Sequence, residues 1–258
     1  MQQIETMLRT VPGFAQLDSG SLERAATASD LAEVEAGEVL FREGAHPESL
    51  YVLMEGRVCL TGTSADASSA VIDILGPASS FVLANVLTNE PYLMGAHVVA
   101  DSRLVRIEAE PMRRVVAAQP AAAMAMMRAM STELANMTRQ VVDLKVRVAA
   151  QRLGTYLLSQ VKEPNATKAD FRLPVSKGLL APWLGCRAEN LSRAFMALRS
   201  YGVETHGSRV LLHDVSRLRA YAGAIEPGRI DGDASGRPPV EQVFGDAFRM
   251  RSKRLRGA

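Results

Sequence analysis

A chain of 258 residues, 47% apolar and 22% charged, has the composition of a globular protein with room for one large or two modest domains, and excludes a disordered or fibrous chain. Its net charge of +2 hides a gradient: residues 1–148 hold 12 basic and 18 acidic side chains, residues 149–225 hold 11 and 5, and residues 226–258 hold 7 and 5. The two cysteines, Cys59 and Cys186, exclude a disulfide framework and a four-cysteine zinc or iron–sulfur site.

An acidic front followed by a basic back makes the second half the part suited to a polyanion. The first five residues lack a basic segment leading into an apolar one, so no secretion signal is expected. The apolar stretch 115–130 is interrupted by Gln119, Pro120 and Arg128, so no membrane span is expected either, and the expected location is cytoplasmic.

Residues 19–29 read as a short helix with Leu22, Ala25 and Ala26 on one face and Asp18 or Ser19 as its cap. From 31 to 108 the pattern changes to short β-rich runs at 38–41, 50–54, 57–61, 70–75, 97–100 and 103–107. Runs of this length separated by Gly, Pro, Asp and Ser predict an antiparallel roll or barrel. Gly37, Gly44, Gly56 and Gly76 fall between runs, where turns are expected.

Pro111 opens a short helix and Pro120 starts the next segment. There Met127, Leu134, Val141 and Val148 recur every seven residues, as do Met130, Met137 and Leu144 three places later. The pattern is an a/d seam over about three heptads. It fits a parallel two-stranded coiled coil that makes a dimer, or an amphipathic helix packed on its own domain; the strict spacing favours the dimer.

Helix signals resume at 152–161 and stop at the turn cluster 162–165. A short strand at 171–173 precedes a helix at 176–184 capped by Ser176, a break at Gly185, and a second helix at 188–200 with Leu191, Phe195 and Leu198 inward. Pro182 interrupts the first helix, and Arg187 is a poor cap for the second. Gly202, a hairpin over 203–212 and a last helix capped by Asp214 complete the order of a winged helix-turn-helix. Residues 226–258 show no period and end in a basic run, 249–256, read as a solvated end or an extra electrostatic arm on DNA.

The predicted architecture is α+β: an antiparallel β-roll sensor domain (1–110), a dimerisation helix region (111–148), a winged helix-turn-helix DNA-binding domain (149–225) and a flexible basic tail (226–258). At this point the chain resembles the cAMP receptor protein/FNR superfamily of bacterial transcription regulators over roughly residues 8–222. Gly37-Glu-Val-Leu-Phe41, Gly44, Leu50-Tyr51, Leu53 and Gly56-Arg-Val58 resemble its cyclic-nucleotide-binding-type jelly roll. Leu173-Pro-Val-Ser-Lys177, Leu180-Ala181, Leu184-Gly185 and Glu189-Asn-Leu-Ser-Arg193 resemble its helix-turn-helix. The last string matches the E-x-x-S-R pattern of the FNR-type branch, and Ala188 stands where the cAMP-receptor branch carries Arg.

Glu189 and Arg193 are four apart and so share a helix face, with Ser192 on its edge. By resemblance these three read a TTGAT-type half-site, with Arg187, Lys177, Arg199 and Arg209 as phosphate contacts. The plainer alternative is an exposed ion pair between Glu189 and Arg193.

Cyclic-nucleotide sites of the family resemble F-x-G-E-L, followed ten residues after the Glu by Arg-Ser/Thr-Ala. The Glu takes the ribose and the Arg the phosphate. Here the Gly, Glu and Arg positions are Leu83, Ala84 and Met94, so cAMP or cGMP binding in that manner is not expected. What remains is an apolar pocket of Phe81, Leu83, Ala84, Leu87, Met94 and Gly95 with Thr138 nearby, suited to a hydrophobic ligand or haem, or filled by its own side chains. His46 and His97 are candidate axial ligands, though a lone histidine is more often structural. An FNR-like iron–sulfur cluster is excluded by the missing cysteines. Cys186 is either a redox-sensitive thiol or a small turn residue.

The expected function is a homodimeric transcription regulator that binds a palindromic operator, works with RNA polymerase and answers to a small-molecule or gas effector. The alternative is a haem- or hydrophobic-ligand-binding sensor in which DNA contact is secondary. No nucleophile–base pair, phosphate-cradling loop or metal-ligand spacing suggests an enzyme.

Overall fold

The computed structural model describes residues 2–63 and 69–223. Two helices come first, α1 (Gln2–Leu8) and α2 (Ser19–Thr27). The second is capped as the sequence suggests: the Asp18 carboxylate accepts from the Ser21 backbone N–H at 2.9 Å. Strands β1 (Ser29–Val34), β2 (Val39–Phe41), β3 (Ser49–Thr63), β4 (Ser69–Leu75) and β5 (Ser79–Phe81) follow, then α3 (Leu83–Thr88) and β6 (Gly95–Glu108). They pair antiparallel in the order β1-β6-β3-β4, with β2 joined to β6 and β5 to β3. This is the expected antiparallel roll.

Two long strands replace four short runs. The predicted runs 50–54 and 57–61 are one strand, β3, and the runs 97–100 and 103–107 are one strand, β6. They pair from Ser49 opposite Glu108 to Thr61 opposite Gly95. The apparent break at Gly56 is a bulge in the ladder, not a turn between strands. Gly56 has φ +89°, and a Cβ there would lie 2.2 Å from Ser102 Oγ and 2.3 Å from the Asp101 carbonyl. Ser102 Oγ accepts from the Arg57 N–H at 3.0 Å and so satisfies a donor that the bulge displaces.

Helices α4 (Ala109–Ala118) and α5 (Pro120–Val146) follow the roll. Ala122, Ala125 and Met126 at the front of α5 pack with Leu8, Phe14, Leu22 and Met112, and with Val52 and Ile107 of the sheet. A second cluster fills the roll: Phe41, Tyr51, Phe81 and Tyr92 pack together, with Phe41 and Tyr92 ring centres 4.0 Å apart. Ala129 and Met130 pack against the first of these cores one turn on, and beyond Met130 the helix leaves it. Leu134 is 66% exposed and Val141 55%.

The heptad reading needs one correction. Val148 is not on the seam helix, because α5 ends at Val146 and Val148 has extended backbone as the N-cap of the next helix. Gln151 Oε1 accepts from the Val148 N–H at 3.2 Å, which starts that helix anew.

The back module runs α6 (Ala149–Ser159), β7 (Ala169–Arg172), α7 (Lys177–Trp183), α8 (Ala188–Leu198), β8 (Val203–His206), β9 (Arg209–Leu212) and α9 (Val215–Ala222). Its sheet order is β7-β9-β8, and its core gathers Leu153, Leu157, Leu180, Leu191, Phe195, Leu198, Val210 and Leu218. Ser176 Oγ accepts from the Leu179 N–H at 3.3 Å and Asp214 from the Arg217 N–H at 2.8 Å, so both expected caps form. Pro182 lies in the last turn of α7, and the helix ends one residue later. The predicted tail, 226–258, lies outside the described residues. Among the described residues, no helix is long and apolar enough to cross a membrane.

Candidate nucleic-acid interface

Helix α8 is amphipathic along its length. Leu191, Ala194, Phe195 and Leu198 are buried, which turns Glu189, Ser192, Arg193 and Met196 outward. Gly185, in the turn before it, has φ +64°, and a Cβ there would come within 2.5 Å of Leu144 Cδ2. The turn of the motif therefore needs glycine for both its backbone and its close approach to α5.

Lys177, Ser192 and Arg199 border one groove of about 260 Å³ with Phe195, Met196 and Thr205 of β8. Lys177 Nζ stands 4.8 Å from the centre of the Phe195 ring. Glu189, Arg193 and Arg187 are exposed on the same helix or at its start. Among the described residues Glu189 and Arg193 form no ion pair with each other, so the structure does not show the plainer reading of that spacing. Ser192 Oγ donates to the Ala188 carbonyl at 3.1 Å within the helix.

Arg209 departs from expectation. Its guanidinium is held by Asp170 across the β7–β9 pair, with Nε 2.9 Å from Oδ1. An arginine bound to a carboxylate has less charge to offer a phosphate, so Arg209 is a braced wing residue. On strand β8 of the wing Glu204 accepts from His213 Nε2 at 2.9 Å and His206 Nε2 at 2.8 Å. These contacts, His213 first, hold its carboxyl below the usual carboxylate range. Burial pushes the Cys186 thiol up while Arg152 pulls it down, which disfavours a reactive thiolate. Cys59 is fully buried, and burial with Asp73 nearby pushes its thiol to about 11.

The predicted effector pocket is not gathered around one void. Leu83, with Leu87 beside it, packs into the helical core, whereas Phe81 and Met94 belong to the aromatic core of the roll. Ala84 and Thr138 are exposed, and Thr138 Oγ1 donates to the Leu134 carbonyl. Gly95 instead borders a cleft of about 350 Å³ with Phe41, Arg42, Glu43, Thr61 and His97. The divergence has a plain cause: β5 ends at Phe81 in the aromatic core, whereas α3 begins at Leu83 and packs Leu83, Val86 and Leu87 into the helical core. At the positions expected to hold ribose and phosphate there is no carboxylate and no guanidinium, so these residues do not fit a cyclic nucleotide held in the family's manner. Nor do the histidines fit a haem: His46 is exposed on a loop, and His97 faces a cleft that carries Arg42 and Glu43. Among the described residues no three His, Cys, Asp or Glu side chains cluster as metal ligands.

Sequence reasoning missed Asp73, Trp183, Tyr156 and Arg57. Asp73 Oδ1 accepts from Trp183 Nε1 at 3.0 Å and Gln140 Nε2 at 3.1 Å, which joins β4 to α7 and α5. The single tryptophan of the chain was the one signal available beforehand.

The cyclic nucleotide-binding domain family matches residues 31–119, and the Crp-like helix-turn-helix domain family matches residues 151–221. The chain is 26% identical over 191 residues to the transcriptional activator protein FnrA of Stutzerimonas stutzeri, covering 72% of this chain and 78% of that one. It is 27% identical over 186 residues to the nitrogen fixation regulation protein FixK of Azorhizobium caulinodans, covering 70% and 74%. In fold it is similar to FixK2 from Bradyrhizobium japonicum, with a TM-score of 0.67 at 18% identity over 76% of this chain and 98% of that one. With an antiparallel roll, a long connecting helix and a helix-turn-helix that leaves one face of α8 open, the chain belongs to the CRP/FNR family of DNA-binding transcription regulators.

Proposed function

We propose that the protein acts as a homodimer that reads a TTGAT-type palindrome under the control of an effector other than a cyclic nucleotide. The observation that carries the DNA reading is the division of α8, with Leu191, Phe195 and Leu198 locked in the core and Glu189, Ser192 and Arg193 exposed together. In a major groove Arg193 can hold guanine O6 and N7 with two hydrogen bonds, and Glu189 can accept from a cytosine amino group. Lys177, Arg187 and Arg199 supply phosphate contacts around them.

Dimerisation is supported by Leu134, Met137, Val141 and Leu144, an apolar row left open along α5. Two-fold pairing sets the half-sites about one DNA turn, ~34 Å, apart. The proposed units are a sensor roll (1–110), a dimerisation region (111–148) and a DNA-binding head (149–225), with RNA polymerase as a further partner. The case against a cyclic nucleotide rests on Ala84 and Met94, since a buried phosphate with no cation is costly.

The test is a mobility-shift titration of the full chain on a TTGAT-N4-ATCAA duplex and on a scrambled duplex at fixed salt. The palindrome is expected to bind at least ~10³-fold tighter. Equal affinity for both duplexes would overturn the reading.

A further inference from the structure

A cleft of about 210 Å³ lies away from the DNA-reading face. Arg57 and Ile74 form its roll side, and Tyr156, Pro174, Val175 and Trp183 its other side. Tyr156 is 8% exposed, and its hydroxyl is buried with no hydrogen-bond partner. Native structures seldom leave such a group unpaired, because its desolvation goes uncompensated. Burial raises this phenol to about 12, against a pull from Arg57 in the other direction, so the hydroxyl keeps its proton as a donor. The Arg57 guanidinium makes no ion pair or side-chain hydrogen bond among the described residues. It lies over Gly76, where a Cβ would come within 2.7 Å of Nη1. Trp183 meets Tyr156 edge-on at 5.1 Å and is anchored through Nε1 to Asp73.

An unpaired cation and an orphaned donor thus share a cleft whose other walls are apolar at Ile74, Pro174, Val175 and Trp183 and polar at Ser159 and Gln160. We propose that this cleft binds a small organic anion, a carboxylate on an apolar body, with Arg57 pairing the carboxylate, Tyr156 donating to it, and Trp183 and Ile74 holding the body. A single guanidinium matches one carboxylate in a two-bond fork. The site does not depend on how DNA is read, since none of its residues lies on α8.

Trp183 is the only tryptophan in the chain, so its emission reports the cleft. The full chain is titrated with sodium benzoate, and with benzamide as the neutral counterpart, at constant ionic strength. Benzoate is expected to give a saturable change and benzamide none. Arg57→Ala is expected to weaken benzoate at least tenfold, with Arg57→Lys restoring part of the loss, and Tyr156→Phe to weaken it about threefold or more. Tyr156→Phe removes only an unpaired oxygen, so it remains decisive if Arg57→Ala fails to fold. A response that does not saturate, equal affinity for benzamide, or benzoate affinity unchanged in folded Arg57→Ala or Tyr156→Phe would overturn the assignment. Each of these outcomes leaves the duplex titration above unaffected.

Discussion

Arg193 and Arg209 were equivalent on paper, as two arginines in a basic module, yet they stand in different states. Arg193 is exposed on α8 with no acidic partner among the described residues, whereas Arg209 is already paired with Asp170. Arg193→Ala is therefore expected to cost ~1–3 kcal/mol of binding and to relax discrimination at one guanine, measured by competition among single-base operator variants. Lys177→Ala is expected to weaken all sequences alike and to reduce the salt slope by about 1, with Arg209→Ala changing that slope less. The spacing of Glu189 and Arg193 was legible because it is local to one helix. The pairing of Arg209 with Asp170 was not, because the β7–β9 register decides it.

Among the elements, α5 shows how far a periodic pattern can be trusted. Its seam was readable to Leu144, but Val148 fell outside because the helix stops at Val146 and the chain turns extended before α6. Leu134→Glu places a charge on the most exposed part of the seam without disturbing the subunit core. It is expected to weaken self-association at least tenfold in sedimentation equilibrium; an unchanged dimer would refute this role for α5. The wing carries a pH dependence. Because the folded-state pKa of Glu204 is depressed, its contribution to stability is present above the ordinary carboxylate range and is lost as pH falls through the depressed value. Glu204→Gln is expected to lower the Tm at neutral pH, and the gap from the unsubstituted chain to close in acid, as followed by circular dichroism.

At the scale of the described molecule, Asp73 is the junction, since one carboxylate oxygen accepts from α5, from α7 and from the neighbouring Ile74 N–H. Asp73→Ala leaves three donors without that acceptor. It is expected to destabilise the fold by about 1–3 kcal/mol in chemical unfolding and to shift Trp183 emission to longer wavelength. Nothing in the sequence around Asp73 marks it, because its partners are 67 and 110 residues away. The sequence alone determined the roll, the heptad helix and the reading head, because alternation, seven-residue spacing and helix caps are set by neighbours along the chain. Only the tertiary structure decided that two pairs of runs are single bulged strands, that Phe81 and Leu83 serve different cores, and that Arg57 and Tyr156 share a cleft. Those outcomes depend on which distant side chains compete for the same buried space, and that competition leaves no periodic trace in the chain.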